Sequence, residues 1–249
     1  MIKSHNNRHN PEVFIKKGNE FADVLSKHKS SVDLRWYPYN SISNIYHLHD
    51  LWPDKLLSDV LEGTAFNLLD IGAADGDMGF YMERLGCNVD FLDNPPTNYN
   101  GCLGLKTMKE LLNSKCTIVH RNIDGYFDLD RDYDIVFALG LFYHLRNPMG
   151  FLDVISRHSK RLFLSTRVIR QTPDGINISD SQLAYLVKAN ESNNDATNYW
   201  MFTPSGLNLT LERTGWKVVN IKYVGCTDGT SNPSDPNKDE RVFVYCEKP

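Results

Sequence analysis

The chain has 249 residues, of which 41% are hydrophobic, 11% aromatic and 23% charged. That composition is ordinary for a globular protein and leaves room for one large α/β domain, with or without a cap. Lys and Arg total 27 against 31 Asp and Glu, and the formal charge of −4 argues against a strongly basic nucleic-acid binder.

Residues 1–10 are polar, lack the apolar stretch of a secretory signal and read as a disordered tail. His5 and His9 have ligand-like spacing only on a helix, which this stretch disfavours, so no metal site is expected. An N-terminal helical segment follows over 11–62. Residues 11–29 carry the pattern of an amphipathic helix with Phe14, Phe21, Val24 and Leu25 inward. An aromatic stretch, Trp36-Tyr37-Pro38-Tyr39, and a weak helix over 51–61 complete it.

From residue 63 onward strands and helices alternate, which implies βαβ units and a parallel sheet. Strands are expected over 67–72, 89–92, 117–120, 133–139 and 161–165, with helices over 78–85, 108–112 and 151–157 between them. The apolar run 135–145 is too short to span a bilayer, so no membrane role is expected. Residues 167–200 are polar and irregular, with one helix-like piece over 183–189, and read as a small cap. A helix over 204–214 leads to two last strands, 216–224 and 241–246, which should pair antiparallel across the polar loop 226–240. The five cysteines are odd in number and form no Cys-x-x-Cys, as in reduced thiols of a cytoplasmic protein.

The sharpest local signal is the turn Asp70-Ile71-Gly72-Ala73-Ala74-Asp75-Gly76 between the first strand and a helix. Small residues allow close backbone approach to a ligand at the carboxyl end of a strand, where open α/β sheets bind. A dinucleotide fingerprint would need Gly at 74 and 77, where Ala74 and Asp77 stand. No Gly-Lys-Ser/Thr follows either, so the phosphate-loop reading fails. A loop without a cation suits a positively charged cofactor lacking phosphates. Asp93 ends the second strand, 23 positions after Asp70, where a carboxylate can accept from ribose hydroxyls or simply cap a polar strand end. Asp124 follows the third strand and offers an acceptor to an adenine amino group, or a solvated loop. The run Asp128, Asp130, Asp132, Asp134 imitates a calcium loop but has Tyr133 and Leu139 where Gly and Glu are needed.

These segments resemble class I S-adenosylmethionine-dependent methyltransferases, through LLDIGAADGDMGFYMERLG, FLD and YDIVFALGLFYHLRNP. Residues 140–148, with Asn198-Tyr199-Trp200-Met201-Phe202-Thr203-Pro204-Ser205 and the ending Arg241-Val242-Phe243-Val244, are similar to the tRNA wobble-uridine carboxymethyltransferase subgroup. The resemblance covers 67–249, with an echo at Trp36. It implies a Rossmann-like α/β fold: a seven-stranded, mostly parallel sheet with a terminal antiparallel hairpin, helices on both faces and the 167–200 cap. It implies S-adenosyl-L-methionine as cofactor, with Asp70, Gly72, Ala74, Gly76, Asp93, Asp124 and Leu141 around it. Tyr143 and Arg241 match positions that contact the transferred group or the acceptor.

Ala74 departs from the family's second glycine. The lysine that holds a carboxylated cofactor has no match, the nearest cation being Arg35, so the ordinary cofactor is expected. His144, just past the fourth strand, is a candidate general base, or a ring that shapes its loop. Tyr199, Trp200 and Phe202 read as an acceptor wall or as core joining the cap to the sheet. The acceptor should lie between the carboxyl edge of the sheet and the cap, next to Tyr143, His144 and Arg241. A small-molecule acceptor is the first expectation. A tRNA substrate is the alternative, for which Lys3, Arg8, Lys16, Lys17, Lys27, Lys29 and Arg35 are the early basic cluster. A non-catalytic binder of the cofactor is a further one.

Overall fold

The computed structural model describes residues 9–249, and these form two compact units that divide after Arg121. His5 and most of the expected tail lie outside the described residues.

The first unit opens with α1 (His9–Ser31), two residues ahead of the expected start. Phe14, Phe21 and Leu25 are buried on its inner face, as the period predicts. Two short turns that the sequence did not announce follow, a 3-10 turn (Ser41–Asn44) and α2 (Ile45–Leu48). Ile42, Ile45 and Leu48 are buried, so packing holds turns that are too short to form alone. The weak helix is α3 (Asp54–Leu61).

Strands β1 (Asn67–Ile71), β2 (Asn88–Asp93) and β3 (Thr117–His120) then build a parallel ladder in the order β3-β2-β1. Helices α4 (Asp77–Arg84) and α5 (Leu103–Leu111) cross between them. The β1–α4 contact is tight. A methyl group added at Gly79 would stand 2.3 Å from the Phe91 ring and 2.9 Å from an Asp70 carboxylate oxygen. Only glycine lets α4 lie this close to the sheet.

In the second unit, β4 (Ile135–Leu139) pairs parallel with β5 (Arg161–Val168), joined through a 3-10 turn (Phe142–His144) and α6 (Pro148–His158). Asn147 caps α6 by accepting from the N–H of Gly150, with Pro148 at the first turn. After α7 (Pro204–Arg213), β8 (Lys217–Gly225) and β9 (Glu240–Glu247) pair antiparallel as expected, and β9 also runs antiparallel to β5.

The expected helix over 183–189 is instead strand β6 (Ala184–Leu186), which pairs antiparallel with β7 (Trp200–Phe202). The alternation explains it. Tyr185 and Val187 point inward onto Ile169, Ile178 and Met201, while Ala184 and Leu186 are exposed. With β6 and β7, nine strands are present among the described residues where seven were expected. The fold is α/β and Rossmann-like, a mostly parallel sheet with antiparallel strands at its end. No described helix is long and apolar enough to cross a membrane.

Candidate active site

In the first unit the turn after β1 is built from left-handed residues. Gly72, Ala74 and Gly76 have φ of 68°, 57° and 86°. Alternate left-handed residues curl the chain tightly, and the N–H of Gly72 donates to the Leu92 carbonyl while that of Gly76 donates to the Ala73 carbonyl. Gly76 is fixed by space as well as by φ, because a Cβ there would stand 2.5 Å from Leu105 and 2.6 Å from Phe80. Ala74, the departure from the glycine pattern, holds a conformation that costs an L-residue about 1–2 kcal/mol.

Asp93 lies beside this loop at the end of β2, 9% exposed. Its Oδ1 accepts from the N–H of Asn94 at 2.7 Å, and its Oδ2 from Asn98 Nδ2 at 3.1 Å. The N–H of Ala74 also donates to it. A carboxylate has about four acceptor positions, so one remains for a hydroxyl donor. Burial pushes its pKa up, against these three hydrogen bonds. Asp70, by contrast, turns inward. It is 3% exposed and accepts from the N–H of Gly79 in the first turn of α4, which makes it a brace of the loop.

The structure adds a clasp that sequence reading missed. Asp75 Oδ2 accepts from the N–H of Tyr37 at 2.8 Å, and its Oδ1 accepts from Asn100 Nδ2 at 2.8 Å. Lys29 Nζ is 3.4 Å from Asp75 and 2.9 Å from Asp77, and Ser41 Oγ donates to Asp77. The loop therefore does have a cation beside it, brought from α1. The Tyr37 hydroxyl accepts from the N–H of Tyr99, and Arg35 lies over the Tyr99 ring at 4.1 Å. Thus α1 and the aromatic stretch are strapped to the glycine turn within one unit.

In the second unit, Gly140 (φ 71°) donates its N–H to Ser165 Oγ at 2.8 Å and redirects the chain after β4. Leu141, Tyr143 and His144 follow in the turn it starts. Arg241, near the start of β9, lies 5.7 Å over the Tyr143 ring and bonds Asp239 at 3.3 Å. Tyr143, His144 and Arg241 are thus brought together, as expected. The His144 and Tyr143 ring centroids are 4.1 Å apart. Asp124 is occupied differently from its expected adenine role. Its Oδ1 accepts from the N–H groups of Arg146 at 2.5 Å and Asn147 at 3.2 Å. Phe202 is core, 5.5 Å from the Phe142 ring. Tyr199 and Trp200 are half-buried and bind Arg146 through its Nε and its carbonyl oxygen.

With this geometry in view, a family model described as "Methyltransferase domain" matches residues 7–221. The chain belongs to the methyltransferase domain family. The match begins ahead of α1, so the N-terminal helices fall inside this methyltransferase domain. Solved structures share the fold at low identity. The N-terminal domain of EvdMO1, crystallised with S-adenosylhomocysteine, is 17% identical with a TM-score of 0.53, covering 91% of this chain and 96% of that one. A coclaurine N-methyltransferase bound to N-methylheliamine and S-adenosylhomocysteine is 13% identical with a TM-score of 0.57, over 86% and 74% of the two chains. A Burkholderia thailandensis 1,6-didemethyltoxoflavin N1-methyltransferase is 16% identical with a TM-score of 0.52, over 76% and 74%. No curated protein matches the sequence.

Proposed function

We propose that this methyltransferase uses S-adenosyl-L-methionine to methylate an oxygen or nitrogen of a small-molecule acceptor. The observation that carries the reading is the left-handed turn at Gly72, Ala74 and Gly76 with Asp93 buried beside it. The residues suit the cofactor. The turn offers small side chains and close backbone approach, and Asp93 keeps one acceptor position for a ribose hydroxyl. Asp75 and Asp77 are already paired with Lys29, so the reading rests on Asp93 and not on a general acidic surround. When bound, the cofactor supplies a methyl group that is already electrophilic on its sulfonium. The protein's task is then orientation, for which Gly72, Ala74, Gly76 and Asp93 are the proposed holding residues. Tyr143 and Arg241 are the proposed acceptor contacts, Arg241 through a guanidinium fork suited to an acidic or carbonyl-bearing molecule. The small-molecule class is supported by the acidic balance of −4 and by the acceptors named for the toxoflavin and coclaurine enzymes.

Calorimetry with S-adenosylhomocysteine tests the cofactor site. Asp93→Ala should lose hydrogen bonds worth about 1.5–3 kcal/mol, a roughly tenfold to hundredfold weakening. Wild-type affinity in a folded Asp93→Ala protein would remove Asp93 from the site.

The 140–148 segment and the Tyr143–Arg241 pair favour a second reading, transfer to a tRNA wobble uridine. Nucleic-acid contacts release counterions, so a true tRNA substrate would bind steeply less well as salt rises. Weak binding of bulk tRNA is expected in a filter assay. Tight, salt-sensitive binding would move the assignment to tRNA.

A further inference from the structure

Asp93 ends β2, and the loop that follows, 94–102, folds back onto its carboxylate. Asn98 in this loop is 8% exposed, and its side chain bonds on both ends. Its Oδ1 accepts from the N–H of Asn100 at 3.1 Å and from that of Cys102 at 2.9 Å. Its Nδ2 donates to Asp93 Oδ2 at 3.1 Å. Only one orientation of the amide fits. A backbone N–H only donates, so the group facing Asn100 and Cys102 is the carbonyl oxygen. Turned over, the amide would set Nδ2 against two donors and its oxygen against a carboxylate. A donor is thereby held against Asp93.

The loop that carries Asn98 is itself braced. The N–H of Asn98 donates to the Asn94 carbonyl at 3.0 Å, and its carbonyl accepts from the N–H of Gly101 at 3.1 Å. Cys102, left-handed at φ 64° and fully buried, leads into α5. Asn100 Nδ2 donates to Asp75 in the glycine turn, and the N–H of Tyr99 donates to the Tyr37 hydroxyl. Asp93 therefore receives from two sides, Asn94 and Asn98 in the loop and Ala74 in the glycine turn. Asn94 holds Oδ1 and Asn98 holds Oδ2, and bonds to both oxygens fix the plane of the carboxylate. The ionisable groups acting on Asp93 or acted on by it are Asp70, Tyr37, Cys102 and His120.

We infer that Asn98 is a positioning residue of the cofactor site, which fixes the plane of the Asp93 carboxylate and so the direction of the acceptor position left for a ribose hydroxyl. This rests on the proposed S-adenosyl-L-methionine reading and deepens it. The physical reason is preorganisation. A side chain held in place before binding has little rotamer freedom left to lose when the ligand arrives. The Asn98 donor also favours the ionised form of Asp93 against the burial that opposes it, and an ionised oxygen is the stronger acceptor.

The test is a double-mutant cycle on the full chain, read by calorimetry with S-adenosylhomocysteine and by urea unfolding. Asn98→Asp keeps an acceptor for the amides of Asn100 and Cys102 but sets a second carboxylate against Asp93 in place of the donor. At about pH 8 its affinity should fall at least about tenfold, the scale of a lost hydrogen bond to a charged group. At about pH 5.5 its affinity relative to wild type should recover, because one proton shared by the facing carboxyls restores a donor. Asn98→Ala, which removes the amide altogether, should weaken binding by a similar factor at both pH values. In an Asp93→Ala background neither substitution should weaken binding by more than about twofold, because the group through which Asn98 acts is gone. A merely structural role in the loop would cost the same in both backgrounds. Losses that add across the cycle, or lowered urea midpoints with wild-type affinity in both Asn98 variants, overturn the inference and leave Asn98 a brace of the loop. Failure of the cofactor reading is seen separately, as absent S-adenosylhomocysteine binding in wild type, and the inference falls with it.

Discussion

Arg170→Ala is expected to cost about 3–5 kcal/mol of stability, the range for leaving one charge of a buried pair without its partner. Glu240 opens β9, paired in register with Val168 of β5, and its side chain is fully buried. Arg170 clamps both carboxylate oxygens, through Nε at 2.8 and 3.1 Å and Nη2 at 2.8 Å. Ser231 Oγ donates a further bond at 2.7 Å. The Ser231 carbonyl accepts from the N–H groups of Arg170 and Gln171, so the polar loop 226–240 is anchored at this pair. Truncating Arg170 leaves a desolvated carboxylate with one neutral donor. Adding Glu240→Met removes the buried charge and should recover more than half of the loss, because an apolar replacement carries no desolvation cost. Urea unfolding of wild type, single and double variants reads this directly. A single-variant loss below about 1 kcal/mol would mean that the pair is solvated in solution.

Which features could be read in the sequence follows from the distance over which each is determined. Strands β1, β2, β4 and β5 are short buried runs bounded by turns, and their local pattern suffices. Asp93 and the Gly72–Gly76 turn were legible because a strand end and a left-handed turn are properties of a few adjacent residues. β6 was not, since Tyr185 and Val187 show their alternation over too few residues to compete with helix-like composition; the surface of Ile169 and Met201 decides it. The turn around Ile45 depends likewise on burial supplied by other elements. The clasp lies beyond local pattern altogether. Lys29 reaches Asp77 across 48 positions and Tyr37 reaches Asp75 across 38. Thr197 meets His144 across 53. Asp124 gains partners that its position after a strand does not reveal, its Oδ1 accepting from the amides of Arg146 and Asn147. A single sequence marks where such groups can gather, and long-range contacts determine which partner each one takes.

Asp70→Asn should flatten part of the pH dependence of stability between about pH 4 and pH 7. Asp70 sits under the glycine turn, where burial raises its pKa from 3.8 to about 7. The N–H of Gly79 opposes the shift, and the nearby charges of Asp93 and Asp77 add to it. The folded-state value lies above the unfolded one, so the folded protein holds its proton more tightly. The stability that this contributes is full below about pH 3.8 and is lost as pH rises through about 7. A shift of this size corresponds to at most about 4 kcal/mol, at roughly 1.4 kcal/mol per pH unit. Asparagine keeps the shape and an acceptor for Gly79 but has no proton to release. Relative to wild type, Asp70→Asn should therefore gain stability progressively from pH 4 to pH 8. Asp77 and Asp93, also raised by burial, slope the curves of both proteins, and because their charges couple to Asp70 they cancel only in part in the difference. Urea midpoints at several pH values give that difference. Parallel curves would show that Asp70 stays ionised in the fold, held by Gly79 and the first turn of α4 against the cost of burial.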